Sequence, residues 1–126
     1  MLFEVLDRVA SELPGCQLTS IVSLESGLSL ACVARDGNDH AAAADAYHSN
    51  LYRLVRNALA ELGDVSPIDD VVIVGTRRVF VSRPLGTSGY FWHVSTSVET
   101  TLGFTQAVMR KYQGEVQKGI EDLLAS

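Results

Sequence analysis

The stretch from Asn38 to Leu62, NDHAAAADAYHSNLYRLVRNALAEL, is the longest in the chain without glycine or proline, and it constrains the fold most. Ala41 to Ala44 are strong helix formers, Asn38 or Asp39 can cap the first free N–H groups, and Gly63 stops the run. The segment therefore reads as one long helix. Helical spacing puts Ala44, Tyr47, Leu51, Leu54, Val55, Ala58 and Leu62 on one side, and Ala41, His48, Tyr52 and Leu59 widen that side. A helix lying on one sheet needs an apolar stripe of only about 100°. The surplus predicts that this helix covers two things, its own sheet and a second copy of itself.

The rest of the chain has to supply that sheet. Leu2–Leu13 is an amphipathic helix with Leu2, Val5, Leu6, Val9 and Leu13 as its stripe, ended by Pro14-Gly15. Leu18–Leu24 and Leu28–Arg35 read as two strands joined by Glu25-Ser26-Gly27, a hairpin whose last turn residue should have positive φ. After the central helix, Ile68–Gly75 holds the run Val71-Val72-Ile73-Val74, apolar at both parities, which predicts a strand covered on both faces. Arg77–Arg83 and Tyr90–Thr96, rich in β-branched and aromatic residues, are the fourth and fifth strands. Thr100 or Thr101 caps a final helix over Leu102–Leu124, with Leu102, Met109, Tyr112, Val116, Ile120 and Leu123 inward. The expected fold is α/β (α+β): helix, two strands, helix, three strands, helix. Short connections favour antiparallel neighbours, so five strands form an antiparallel sheet with helices on both faces. The first and last helices share one face, and the central helix takes the other.

Composition narrows the functions such a domain can serve. At 126 residues, 47% hydrophobic and 20% charged, the chain is one soluble globular domain. A net charge of −5 argues against nucleic acid as a partner, because phosphate binding needs a basic face. No apolar run approaches the roughly 18 residues of a membrane span. The acids in MLFEVLDRV exclude a signal peptide. Cys16 and Cys32 lack CxxC spacing and read as reduced thiols in a cytoplasmic protein.

The order of elements and four local patterns resemble the roadblock family, the dynein light chain type also found as stand-alone bacterial and archaeal proteins. The patterns are IVSLESGLSLA (Ile21–Ala31), the end of the central helix (Leu51–Gly63), VVIVGTRRVFVSRPL (Val71–Leu85) and TTLGFTQAVMRK (Thr100–Lys111). The resemblance implies a roadblock/profilin-like fold and a homodimer. In it the third strands pair across a twofold axis and the central helices pack side by side. It further implies a non-enzymatic scaffold that binds and regulates a small Ras-like GTPase or another signalling partner. Two features depart from the family: Trp92-His93 is bulkier and more polar than its usual fifth strand, and the sequence stops soon after the last helix.

The dimer seam is expected at Ala41, Ala44, His48, Leu51, Val55, Val71 and Ile73. Partner-binding candidates are Asp45, Tyr52 and Arg56 on the outward and edge positions of the central helix, and Phe104 and Lys111 on the last helix. Tyr and Arg are frequent anchors at interfaces. Chemistry finds little support. His40, His48 and His93 have no carboxylate at metal-ligand spacing, G-x-S-x-G is absent, and Gly86-Thr-Ser-Gly89 lacks the lysine of a phosphate loop. No cofactor or metal is expected. His48 is expected at an interface edge and His93 on a half-buried strand. Arg77, Arg78 and Arg83 read as a solvated rim that keeps an edge from mispairing. Two rival functions are a small-ligand sensor with a cavity near Trp92 and Tyr90, and an acidic dimeric secretion chaperone. The latter would want three strands before the central helix.

Overall fold

The computed structural model describes residues 1–35 and 41–125, those at 41–46 for their backbone alone. The expected cap at Asn38 or Asp39 therefore lies outside the described residues, as does His40. The elements follow the expected order: α1 (Leu2–Glu12), β1 (Cys16–Ser23), β2 (Ser29–Ala34), α2 (Ala41–Glu61), β3 (Val71–Val74), β4 (Arg78–Pro84), β5 (Tyr90–Ser97) and α3 (Leu102–Ala125). Every pairing is antiparallel and the strand order is β2-β1-β5-β4-β3. The last strand thus inserts beside the first, and β3 ends up at an edge.

Alternation along the strands sorts side chains onto two unlike faces. Ile21, Ala31, Val79, Val81, Trp92 and Val94 meet Leu2, Val5, Leu6 and Val9 of α1 and Met109, Tyr112, Val116 and Ile120 of α3 in one core. At about 1.5–3 kcal/mol for each fully buried large aliphatic side chain, this layer dominates folding. The opposite face carries Ser20, Phe80, Ser82, Phe91 and His93, and α2 lies on it through His48 and Tyr52. It is a more polar face with a thinner cover.

Two glycines set the chain's reversals. Gly27 has φ 74, as the β1–β2 hairpin demands. Its N–H donates to Ser23 O at 3.0 Å, and Ser23 N–H to Leu28 O at 2.9 Å. Gly63 ends α2 at φ 81. Its N–H reaches Ala60 O at 3.0 Å, and that of Asp64 reaches Leu59 O at 2.9 Å, the paired bonds of a Schellman cap. A Cβ on Gly63 would meet nothing within 4 Å, so conformation alone requires glycine there.

Three expectations need correction. β3 is a four-residue edge strand whose Val71, Val72 and Ile73 are half-buried and whose Val74 is exposed, so neither face is sealed within one copy. Leu123 is 43% exposed, where it was expected inward, and Leu54, on the broad apolar side of α2, is 65% exposed. Leu54 lies on the flank of α2 turned away from the sheet, and Leu123 lies beyond the position of α3 that meets the start of α1, Gly119 against Leu2. His93 is wholly buried, because α2 closes over β5.

The Gly63 cap gives a direct check. Gly63→Ala should lower unfolding free energy in urea by about 1 kcal/mol, the cost of a left-handed alanine. Gly63→Asn should recover most of the loss, since asparagine tolerates that conformation.

Candidate interaction surface

The surface is built on α2. From Tyr47 onward only Ser49 and Tyr52 of this helix are buried. Ser49 Oγ reaches the carbonyls of Ser23 at 3.3 Å and Leu24 at 3.2 Å, and the Arg53 guanidinium donates to the Leu24 carbonyl as well. Tyr52 stacks on Phe91 at 5.6 Å with the planes 8° apart. These contacts hold one side of the helix. On the free flank Tyr47 is 75%, Leu54 65% and Leu62 82% exposed, with Leu51 and Val55 half-buried between them. Turning through i, i+4, i+7 and i+15, this is a continuous apolar stripe.

Beyond β4, whose Phe80 meets His48, lies the bare edge of the sheet. Among the described residues β3 pairs with β4 alone, leaving its outer N–H and C=O groups as a template for another strand. Register places Val71 and Ile73 opposite Ser82 and Phe80, on the same face of the sheet as α2. The edge is also held firmly at its start. Arg83, 7% exposed, continues the parity of Val79 and Val81 inward. Its Nε and Nη2 donate to the Asp70 carboxylate at 2.7 and 3.0 Å, and its Nη1 to Gln113 at 3.2 Å. Gln106 adds a bond to Asp70 at 3.0 Å. Arg83 is therefore no part of a solvated rim, unlike the exposed Arg77 and Arg78. It ties the entry to β3 onto α3.

Beneath α2 sits an imidazole pair. The His48 ring lies 3.8 Å from that of His93 and 4.9 Å from Phe80. His93 Nδ1 and Ser82 Oγ are 3.0 Å apart, and His93 Nε2 has no partner among the described residues. Burial, then the neighbouring His48, pushes His93 well below its ordinary pKa, and burial lowers His48 too. Both rings are neutral at physiological pH. The hydroxyl–imidazole pair has the elements of a nucleophile and base, but Ser82 and His93 are sealed under the helix and no substrate reaches them. Cys16 is likewise inert, its thiol pushed up to about 11 by burial. Among the described residues no cluster of three or more His, Cys, Asp or Glu side chains can hold a metal. No helix there is long and apolar enough to cross a membrane.

No protein-family model matches the chain, and no characterised sequence does. Solved structures do. A Roadblock/LC7 domain from Streptomyces avermitilis superposes with a TM-score of 0.80 at 20% identity, covering 98% of both chains. MglB from Myxococcus xanthus gives 0.83 at 15% identity over 96% of this chain and 95% of that one. An MglB with a tetrameric arrangement gives 0.83 at 14% identity over 96% and 88%. This is the roadblock fold.

On that fold the candidate residues scatter. The side chains of Ala41, Ala44 and Asp45 lie outside the described residues. Leu51, Val55, Val71 and Ile73 line the stripe and edge just described, whereas His48 is engaged by its own sheet. Tyr52 is only 5% exposed and contributes an edge, while Arg56 is exposed. Phe104 stands 47% exposed in the first turn of α3, where its N–H is capped by Thr101 Oγ1 at 3.2 Å. Lys111 is held at 2.9 Å by Glu12, whose carboxyl Tyr112 and then Lys111 keep below its ordinary pKa. Trp92 offers no ligand cavity, being wholly buried with Nε1 donating to Thr19 Oγ1 at 2.8 Å. Sequence reasoning missed Arg83, although its odd-numbered parity with Val79 and Val81 was the signal.

Two measurements probe this framework. Because His93 and His48 stay neutral when folded but protonate when unfolded, their stability contribution is intact above about pH 6.5 and is lost as pH falls below it. Unfolding free energy should drop by up to about 1.4 kcal/mol per pH unit for each ring, and His93→Phe should flatten the slope. Arg83→Ala should cost about 3 kcal/mol by stranding Asp70, whereas Arg83→Met with Asp70→Leu should recover most of it.

Proposed function

We propose that this chain is a non-enzymatic, homodimeric platform that binds and regulates a small Ras-like GTPase or a comparable signalling protein. The observation that carries this reading is the exposed apolar stripe of α2 together with an edge of β3 that is unpaired among the described residues. In the proposed dimer the two β3 edges pair across a twofold axis, extending each five-stranded sheet into a ten-stranded one. The two α2 helices then lie side by side, with Ala41, Ala44, Leu51 and Val55 along the seam and Val71 and Ile73 at the strand junction. Each copy thereby hides what the other leaves bare. One roadblock-fold neighbour is described in a tetrameric arrangement, so subunit association is at home on this fold.

The paired helices would present Asp45, Tyr52 and Arg56 to the partner, with Phe104 and Lys111 of α3 as a second contact. A soluble, cytoplasmic setting suits a chain of this composition. The secretion-chaperone alternative gains nothing, since two strands rather than three precede α2.

Light scattering should give a dimer at tens of micromolar, and Leu54→Arg should give a monomer of unchanged circular dichroism. Leu54 is exposed in the single copy, so charge there costs the subunit little. A monomeric wild type would sink the reading. Ala44→Arg should also split the dimer. A pull-down comparing triphosphate- and diphosphate-loaded small GTPases then tests the partner class.

A further inference from the structure

A buried titratable pair under α2 is left without a task by the platform reading. His48 of the helix and His93 of β5 stack at 3.8 Å with their planes 26° apart, and Phe80 of β4 closes on His48 at 4.9 Å. We propose that this stack is an acid-sensitive latch: protonation of either ring loosens α2 from the sheet, while the layer of α1, α3 and the sheet stays folded. The latch works within a single subunit and goes beyond the platform reading. Because α2 carries the exposed apolar stripe, its release in acid withdraws that surface from any partner.

A positive charge on the pair meets little to hold it. The five strands contain no Asp or Glu. Register sets Ser20 of β1, Ser82 of β4 and, one strand further out, the Cys32 thiol of β2 on the face of His93. The cation on that face is Arg78, exposed at the start of β4. On α2, Tyr52 stacks on Phe91 and Arg53 engages the Leu24 carbonyl, while Arg56 acts on Tyr52. Asp45 lies one turn before His48 with its side chain outside the described residues, so a variant there belongs to the test. An imidazolium donates at both nitrogens. His93 protonated in place would bury a charge, with Ser82 Oγ at Nδ1 and no acceptor for Nε2 among the described residues. The Phe80 face offers His48 a cation–π contact, weaker than the hydration that burial removes. Burial, and for His93 also His48, accordingly holds both rings below their ordinary pKa. When α2 lifts, both rings regain water and that pKa returns. Closure is therefore fully favoured above about pH 6.5 and weakens as pH falls below it, by up to about thirtyfold per ring at about pH 5.

The helix gives way before the subunit does, because its hold is thin. From Tyr47 onward its buried residues are Ser49 and Tyr52. Ser49 Oγ and the Arg53 guanidinium add bonds to the carbonyls of Ser23 and Leu24. On the other face Ile21, Trp92 and Val94 keep their packing against Leu6, Val9 and Met109 whatever α2 does. Layers held so unequally open separately.

Native-state amide exchange on the full chain, corrected for the pH dependence of the chemical exchange itself, tests the latch. Between about pH 7.5 and about pH 5, protection across residues 47–61 should fall at least about tenfold further than across residues 105–120. His93→Phe keeps a ring under His48 and should shrink the difference, and His48→Phe with His93→Phe should keep α2 closed at about pH 5. Histidine-ring NMR on the wild type needs no variant to fold. There His48 and His93 should take up protons over the range in which α2 loses protection. Asp45→Asn should leave the transition in place. The same loss in Leu54→Arg separates the latch from the dimer. Equal loss in α2 and α3, an α2 that stays protected to about pH 5, or rings still neutral after α2 opens would overturn the proposal. So would a transition that survives in the double variant, vanishes in Asp45→Asn, or is confined to a dimeric wild type.

Discussion

The way α2 grips its own sheet decides the character of this molecule. His48 and Tyr52 lay their rings on His93 and Phe91, and Ser49 and Arg53 hold the carbonyl end of β1. All four sit on one flank of the helix, facing the sheet. Among the described residues nothing covers the other flank, so Tyr47, Leu54 and Leu62 are exposed. A helix held by two ring stacks and a few main-chain bonds is secured in place without being enclosed, and that combination makes a surface for association.

The opposite face of the sheet works in the reverse sense. There α1 and α3 close over a continuous aliphatic and aromatic core, stapled at the rim by Glu12 with Lys111 and Tyr112 and by Arg8 with Glu115 at 2.6 Å. Since this layer holds the subunit together, α2's face is free to carry polar groups that a core would not tolerate. Ser82 and His93 pair inside it, with one imidazole nitrogen unsatisfied among the described residues. The Arg83–Asp70 pair links the two sides, fixing the start of the exposed edge to α3. The edge that offers itself to a second strand is accordingly not a frayed one.

Much of the architecture was legible in the chain. Period-2 and period-3.6 patterns, with Gly27 and Gly63 at the reversals, gave every element in order and the assignment of helices to faces. Side-chain fates on the strands were less legible. Val71 to Val74 reads as a strand covered twice, yet it forms a four-residue edge strand with Val71 to Ile73 half-buried and Val74 exposed. Arg83 reads as one of three rim arginines until its partner, distant in sequence, turns it inward. Tyr52 and Arg56 are a turn apart on α2, but an open groove that they border needs Leu24, Pro67, Ile68 and Pro84 from separate loops and strands.

Local periodicity and turn chemistry suffice to fix which segments are helices and strands, because those preferences act over a few residues. They also revealed an apolar surplus on the central helix, since counting residues per turn needs no fold. Which of those residues are covered was decided only by strand order. β5 inserts beside β1 and sends β3 to the margin. That placement buries His93, frees Leu54 and folds Arg83 onto Asp70, through contacts between residues too far apart in sequence for any local pattern to encode.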